Sequence, residues 1–400
     1  MIKKLISPVL LLAAVFCVSM FAQRSTLTMQ ENVSLFLLTP DYLREVFSAP
    51  LPLSHLLGNF LAQFYRFSIY GPSITAVEIL LVLLLSRGIL KRAGLSCEPV
   101  AVLAACTAWW FTARSCNPVV PAAIILFMTA AWLVLIAVRR QKGAEPMKWW
   151  QALTPSVLIA VSCVVICSDG KVRNTETIAG IEQAALSRDW RKVLSLATPE
   201  FTSKDPEMLP YALLALSGTG ELSKRAQEYK NCSPEAMEGD KAASYRGYLA
   251  GAILYDELGC HNEAVHRIYQ ASDDLPHGTG LLMLRLLIRH YCDLSDVALA
   301  EKYCSILSRS SLHGQYVRHY RQILEGLSQR EPDSPEKRAQ AAIMTHDHST
   351  NLLQLEAEGI SSNIATERFL CSLLLSGNIE AFQKAMGLAG VPTPSTRLIY

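Results

Sequence analysis

The sequence lacks the short motifs that indicate a well-understood catalytic or cofactor site. It contains no GxSxG, HExxH or CxxC motif and no protein-kinase signature. The segments 218–220 and 278–280, both Gly-Thr-Gly, resemble pieces of phosphate-binding loops, but no predicted strand precedes either and no GKS or GKT follows. We interpret both as helix ends, expect no cofactor and favour a non-enzymatic role.

The chain also lacks the strong positive charge of a nucleic-acid-binding protein. It has 37 Lys and Arg against 35 Asp and Glu, which gives a net charge of +2. The charge is unevenly placed, because residues 1–170 carry a net +6 and residues 171–400 a net −4. A nucleic-acid-binding face must neutralise phosphates, so the acidic second part argues against that function.

The eleven cysteines lack a pattern that indicates a metal site or a disulfide framework. No pair has zinc-finger spacing, and an odd number cannot all pair within one chain. Six of them lie in or beside hydrophobic runs, where they act as small apolar packing residues. In the second part, Cys304 occupies a predicted core position, so we expect a packed thiol there.

Long hydrophobic runs dominate the first 170 residues, and they predict a membrane domain over residues 1–170. Crossing the hydrocarbon core takes roughly 20 apolar residues, because only a helix satisfies its own backbone there. The first run follows Lys3 and Lys4 but has a poor cleavage site, so we expect an uncleaved anchor. Five candidate spans are 5–22, about 68–90, a short one at about 100–113, 119–138 and about 149–167.

The placement of basic residues predicts how these spans are oriented. With the N-terminus inside, the inner segments hold nine Lys and Arg and the outer segments hold four. The positive-inside rule therefore places the N-terminus in the cytoplasm. Five spans then put residues 171–400 outside the cytoplasm, in the periplasm of a bacterium whose inner membrane holds the protein. If the short span did not cross the membrane, residues 171–400 would lie on the cytoplasmic side instead.

An amphipathic helix is predicted at about 52–67, between the first two spans. The prolines at 50 and 52 break any helix before it, and apolar and polar residues then alternate at helical spacing. The apolar residues are Leu56, Leu57, Phe60, Leu61 and Phe64, and the polar ones are Ser54, Asn59, Gln63 and Arg66. Such a helix either lies on the membrane surface or packs on the spans.

Three acidic residues of the membrane domain are candidate functional residues. Glu78 is the only acidic residue well inside a predicted span, where a carboxylate is expensive. It is either an ion, proton or lipid head-group site, or a protonated carboxyl hydrogen-bonded within the bundle. Glu31 and Asp41 lie in the first outer segment, where glycosyltransferases that use lipid-linked donors often hold a catalytic acid. The alternative is that both are solvated loop charges.

The second part has a helical period, and its clearest unit covers residues 248–276. Small residues let two antiparallel helices approach, large ones fill the space around them, and a glycine makes the turn. These residues are Tyr248, Gly251, Ala252, Tyr255, Gly259, Ala264, Ile268, Ala271 and Pro276. The pattern matches the tetratricopeptide repeat, a pair of helices that must stack with its neighbours to bury its apolar face.

Further helix pairs are predicted along the second part, with weaker agreement. They lie at 178–197, 209–229, 284–307 and 369–386. The fold class predicted for the chain is therefore all-α: a multi-span transmembrane helical bundle followed by a tetratricopeptide-like α-solenoid over residues 171–400. A stack of such pairs has a concave groove, which typically binds a peptide or a protein.

One cluster of metal-ligand residue types stands out in the second part. His346 and His348 flank Asp347, and alternate histidines with a carboxylate can bind a divalent metal. No third ligand lies nearby at a fixed spacing, and the segment also fits a loop followed by a helix cap. We favour the loop and predict no metal.

Three stretches carry a resemblance to a known family. They are SLFLLTPDYL at 34–43, LLGNFLAQFYRF at 56–67 and FLCSLLLSGNIEAF at 369–382. With the order of the predicted elements, they resemble an uncharacterised family of polytopic inner-membrane proteins from Bacteroidetes-type bacteria. Its members are usually longer, so the resemblance implies a chain shortened at its C-terminus. The family has no agreed activity, and the resemblance implies the layout alone.

These observations lead to two functional hypotheses. The first is a membrane-anchored scaffold or adaptor that presents a protein-binding groove at the outer face of the inner membrane, with the lipid bilayer and a protein as its partners. The second is an enzyme or carrier that acts on a lipid-linked substrate, using Glu78, Asp41 or the helix at 52–67.

Overall fold

The computed structural model of the protein describes residues 2–95, 97–138, 150–238, 244–275, 278–310, 312–327 and 363–388. The described residues form helices and connecting turns, without a β-strand among them. The chain divides into two compact units, Met1–Ala179 and Gly180–Tyr400. The predicted division at residue 170 differs, because the helix that begins there continues past the boundary between the units.

Nine helices are described in or entering the first unit. They are α1 (Ile2–Ala22), α2 (Arg24–Val33), α3 (Pro40–Ser48), α4 (Pro52–Ala62), α5 (Tyr70–Ala93), α6 (Glu98–Ser115), α7 (Val119–Val138), α8 (Trp150–Ser168) and α9 (Gly170–Leu186). Proline begins α3 and α4 within the first turn, where its missing N–H costs nothing.

Three of these helices are long and apolar enough to cross a membrane. They cover Leu5–Ala22 of α1, Tyr70–Ala93 of α5 and Val119–Ala137 of α7. A fourth crossing is counted if α8 and α9, which meet at a 54° bend, act together as one span. The described residues thus provide three or four such spans where the sequence predicted five, and α6, which contains the predicted short span, is not among them.

Helix α6 packs in the bundle although its composition is less apolar. Its buried face, which includes Val102 and Trp109, joins the apolar core formed with α1, α5 and α8. At its start, Glu98 pairs with Arg87 of α5 and accepts a hydrogen bond from Ser7 of α1, 2.6 Å away. At its end, the Trp110 indole donates to Asp169 after α8, at 3.0 Å. Helix α6 therefore runs the length of its neighbours.

The predicted amphipathic helix at 52–67 is the shorter α4, which ends at Ala62. Its polar residues Ser54 and Asn59 are buried, whereas Leu53 and Phe60 are exposed. Asn59 donates to the Tyr42 hydroxyl of α3 at 3.2 Å, which turns the polar side of α4 towards protein. The helix thus packs on its own unit with polar side chains and leaves apolar ones outside.

Helices of the second unit follow in short succession. They are α10 (Trp190–Leu196), α11 (Pro199–Lys204), α12 (Leu209–Thr219), α13 (Leu222–Arg225), α14 (Pro234–Glu238), α15 (Tyr245–Glu257), α16 (His261–Asp273), α17 (Leu281–Asp293), α18 (Val297–Leu307), α19 (Gly314–Leu327), α20 (Asn363–Leu375) and α21 (Ile379–Leu388). Asp189 caps α10 and Asp296 caps α18, each by accepting a backbone N–H of the first turn.

The helix pair predicted at 248–276 is present as α15 and α16. Gly259 makes the turn with φ +74°, a left-handed conformation that favours glycine. Gly251, Ala252, Tyr255, Ala264, Ile268 and Ala271 are all buried, and Tyr248 is half-buried. Small side chains therefore lie where the two helices pack. Pro276, predicted to close the unit, lies outside the described residues.

The other predicted pairs differ in quality. Helices α17 and α18 form a regular pair, and Cys304 is fully buried in α18 as expected for a packed thiol. The pair predicted at 209–229 is irregular, because its second helix, α13, has only four residues before a 3-10 turn. The pair at 369–386 corresponds to α20 and α21, which Gly377 separates with φ +72°.

Candidate functional site

Four potential metal ligands converge in the second unit, at the end of the α15–α16 pair. Asp256 lies in the last turn of α15, and His261 is the first residue of α16. His290 and Asp293 lie three positions apart in the last turn of α17, so both side chains leave the same face of that helix. The short turn at Gly259 brings Asp256 and His261 to the same end. We call these four residues the Asp–His cluster.

The ligand atoms of the Asp–His cluster lie close together. The two histidine Nδ1 atoms are 3.3 Å apart. Asp256 Oδ1 lies 3.5 Å from His261 Nδ1 and 3.6 Å from His290 Nδ1, and Asp293 Oδ2 lies 4.0 Å from His261 Nδ1. One atom from each of the four side chains falls within 4.8 Å of all the others.

Two arginines fix the Asp256 carboxylate from its other side. Arg188 Nη2 lies 2.7 Å from Asp256 Oδ2, and Arg289 contacts the same oxygen. Burial alone would raise the pKa of the Asp256 carboxyl, but a hydrogen bond from His261 and the charge of Arg289 lower that pKa below its usual range. Asp256 is therefore ionised at neutral pH, with Oδ1 turned towards the histidines.

His290 is the most enclosed member of the Asp–His cluster, with 1 % of its side chain exposed. Burial lowers the pKa of His290 to about 3, and the nearby Asp256 charge only partly opposes that change. The imidazole is therefore neutral near pH 7, which leaves one ring nitrogen with a lone pair. A lone pair on nitrogen is what a metal ligand must offer.

A shallow pocket adjoins the Asp–His cluster. It is lined by the last residues of α9, by Arg188 just after it, and by residues of α15 and α17 that include Asp256 and His290, so three helices contribute to one surface. Its apolar floor includes Ala252 and Leu286, and its rim includes Arg188 and Arg289. We call this surface the α9–α15–α17 pocket.

A second pocket lies in the first unit around Glu78. Glu78 is 3 % exposed, and neither carboxyl oxygen has a hydrogen-bond partner among the described residues. The Trp109 indole nitrogen and the Thr112 hydroxyl line the same pocket and are likewise buried without such a partner there. The amide side chains of Gln23 and Gln30 complete a polar lining. Four polar groups thus surround a carboxyl group, next to the apolar core of the helices.

Glu31 and Asp41 differ from each other in the structure. Glu31 is buried and accepts the backbone N–H of Arg66 at 2.6 Å, so it is not the solvated loop charge that the sequence allowed. Asp41 is 90 % exposed and pairs with Arg44 in the first turn of α3, as a solvated charge does. Neither residue lines the pocket around Glu78. His346 and His348 lie outside the described residues.

The sequence analysis missed the Asp–His cluster because its four residues lie on three helices, up to 37 positions apart. Part of the signal was local. His290 and Asp293 have the i, i+3 spacing that places two ligands on one helical face, and Asp256 and His261 flank the predicted turn at Gly259. These two pairs of residues meet only because α17 packs against α16, and that contact cannot be read from the spacing of the residues.

Comparisons with known proteins give a family without an activity. Neither curated proteins nor solved structures gave a match. A family model described as a family of unknown function, DUF6057, matches residues 1–168 and 118–398. The uncharacterised family expected from the three sequence stretches is thus confirmed, while the Bacteroidetes origin and the tetratricopeptide-like repeat stay predictions. Because the matched residues include both units, the chain belongs to the DUF6057 family of unknown function.

Proposed function

We propose that the protein is a membrane-anchored scaffold whose second unit binds a protein partner on the α9–α15–α17 pocket. The observation that carries the proposal is that three helices, two of them the first helices of successive pairs, contribute side chains to this one surface. In stacked helical pairs the first helices line the concave side, where partners bind. The tetratricopeptide-like stacking of the unit is part of the proposal.

The lining of the pocket indicates the chemistry of its partner. Ala185, Ala252, Ile253 and Leu286 offer a small apolar floor. Beside it, Arg188 and Arg289 pair with Asp256, and Arg188 also pairs with Glu257, so the rim is polar and carries no net positive charge. A protein segment with a small apolar side chain flanked by polar ones complements this surface. We therefore propose a partly apolar peptide segment of another membrane or periplasmic protein as the ligand.

The proposed location is the outer face of a bacterial inner membrane, with a cytoplasmic N-terminus. Three helices suited to crossing support the membrane anchor. The two ends of α6 contact opposite ends of its neighbours, which supports a further crossing by α6. With α8 this makes five crossings, and an odd number puts the second unit outside the cytoplasm.

Site-specific crosslinking in cells tests the scaffold proposal. A photoreactive amino acid at Leu186, which lines the pocket, is expected to give one defined crosslinked protein. The matched control is the same amino acid at His266, an exposed position on α16 outside the pocket. Equal yields at both positions, or no protein at Leu186, would contradict the proposal.

The pocket around Glu78 supports a second candidate function, a carrier or glycosyltransferase-like enzyme for a lipid-linked substrate. A buried carboxyl group without a hydrogen-bond partner is costly, so a ligand that bonds to it is favoured there. The surrounding amides, hydroxyl and indole N–H suit a head group rich in hydroxyls or bearing an ammonium group. The neighbouring apolar helices suit a lipid tail.

Mass spectrometry of lipids that copurify with the protein tests this second function. Glu78→Gln keeps the size of the side chain and removes its acidic group, so we expect it to lose a bound lipid that the unaltered chain retains. Asp41→Asn alters an exposed carboxylate outside the pocket and serves as the control. An identical lipid profile in all three proteins, at equal abundance, would refute the carrier function.

A further inference from the structure

We propose that Asp256, His261, His290 and Asp293 bind a divalent transition-metal ion, zinc by preference, which ties the turn between α15 and α16 to the end of α17. The inference does not rest on the scaffold function, although Asp256 and His290 also line the α9–α15–α17 pocket. It rests on four donor atoms of two kinds that converge from three helices within 4.8 Å. Neither the sequence motifs nor the family description assigns a metal to these residues.

The separations of the donor atoms fit one ion. Zinc bound tetrahedrally by nitrogen and oxygen at 2.0–2.1 Å places neighbouring ligand atoms about 3.4 Å apart. Three separations in the Asp–His cluster, 3.3 Å, 3.5 Å and 3.6 Å, lie close to that value. Asp293 Oδ2 lies 4.0 Å from His261 Nδ1, somewhat farther than the tetrahedral value, and Asp293 is the most exposed of the four residues.

The surroundings of the cluster prepare its ligands. Arg188 and Arg289 hold Asp256 Oδ2 and leave Oδ1 directed at both histidines, an arrangement typical of the groups that orient metal ligands from behind. The two guanidinium groups do not cancel the attraction for a cation. Arg188 also pairs with Glu257, so three carboxylates face two arginines and one negative charge remains.

The donor set selects the class of metal. Imidazole nitrogen suits zinc, cobalt, nickel and copper, whereas magnesium and calcium prefer oxygen ligands throughout. Four protein ligands fill a tetrahedral site and leave no open position for a substrate, which is typical of a structural metal. The ion would therefore stabilise the fold of the second unit by joining two successive helix pairs.

Zinc binding to the full-length chain purified in detergent tests the inference. The unaltered protein is compared with His261→Gln and Asp293→Asn, which each remove one ligand. The matched controls are His266→Gln and Asp273→Asn, exposed residues of α16 outside the cluster. Zinc affinity is measured by competition with a chromophoric chelator, and melting temperature is measured with added zinc and with EDTA.

We expect one zinc per chain in the unaltered protein and in both controls, and an affinity at least about tenfold lower in each cluster variant. Bound Co²⁺ should give the intense visible absorption of four-coordinate cobalt, and EDTA should lower the melting temperature of the unaltered protein more than that of the variants. Absence of zinc, equal affinity in the cluster variants, or a melting temperature that EDTA leaves unchanged would overturn the proposal. If His261→Gln does not fold, Asp293→Asn decides, because its side chain is 40 % exposed and supports no core.

Discussion

Arg368 is a buried charge that holds the late helix α20 in the second unit. Its side chain is 0 % exposed and donates to the Ser217 hydroxyl of α12 at 2.7 Å and to the backbone oxygen of Met237 in α14. Glu367, the preceding residue, accepts the backbone N–H of Ser223 at 3.1 Å. Two adjacent charged residues thus bond α20 to three other helices through polar groups inside the unit.

Replacing Arg368 should therefore be costly. Arg368→Leu leaves the Ser217 hydroxyl and the Met237 carbonyl buried without their donor, and we expect a loss of about 3 kcal/mol in the free energy of unfolding. The measurement is thermal unfolding of the detergent-solubilised chain, followed by its helical circular dichroism. The control is Arg309→Leu at an exposed position after α18, which should change stability by less than about 0.5 kcal/mol. Equal melting temperatures for the two variants would contradict this account of Arg368.

The buried carboxyl of Glu78 contrasts with Arg368. Arg368 donates to Ser217 and to Met237 within the protein, whereas Glu78 lacks a hydrogen-bond partner in the part of the chain that the structure describes. A buried polar group is normally bonded, so the exceptions indicate ligands, ions or water. The same comparison separates Glu31, which accepts the backbone N–H of Arg66, from Glu78, neither oxygen of which has a hydrogen-bond partner among the described residues.

Helices α4 and α7 approach each other at Gly58, and the contact depends on the missing side chain. A Cβ atom at Gly58 would lie 2.6 Å from the carbonyl oxygen of Pro118, at the start of α7. Because that neighbour is backbone, it cannot move aside as a flexible side chain can. The close approach therefore holds α4 against the start of α7, one of the helices long and apolar enough to cross a membrane.

Gly58→Ala is expected to push α4 away from α7. We expect a loss of about 1–3 kcal/mol, the usual range for overpacking a tight contact, measured as a lower melting temperature in detergent. Gly170→Ala is the matched control, because no atom lies within 4 Å of a Cβ there and alanine favours the helix. A variant at Gly58 as stable as the one at Gly170 would show that α4 does not pack closely on α7.

The sequence predicted helices well where the pattern is local. The pair α15–α16 follows from Gly259 at the turn and from small residues such as Gly251 and Ala264 at helical spacing. The sequence predicted the structure less well where packing between helices decides which side chains are buried. The polar side of α4 faces protein rather than water, because Tyr42 of α3 offers Asn59 a buried partner that periodicity cannot reveal.

At the scale of the whole molecule, the number of crossings decides on which side the second unit lies. By length and composition, α1, α5 and α7 can each cross a membrane, and α8 with α9 can form a bent fourth span. An even number of crossings would leave both termini on the same side of the membrane. Helix α6 has 18 residues, about 27 Å of helix, close to the roughly 30 Å of a hydrocarbon core. Glu98 and Arg114 lie at its two ends, and both find partners there, in Arg87 and Asp169.

We therefore predict that the chain changes sides across α6. Reporter domains inserted after Leu95 and after Cys116 flank this helix, and a third reporter follows residue 400. Alkaline phosphatase, which is active only outside the cytoplasm, should be active after Cys116 and at the C-terminus and inactive after Leu95. Green fluorescent protein, which fluoresces in the cytoplasm, should give the opposite pattern. If the positions after Leu95 and Cys116 report the same side, α6 does not cross. The second unit would then lie in the cytoplasm, where a scaffold would meet a different set of partners.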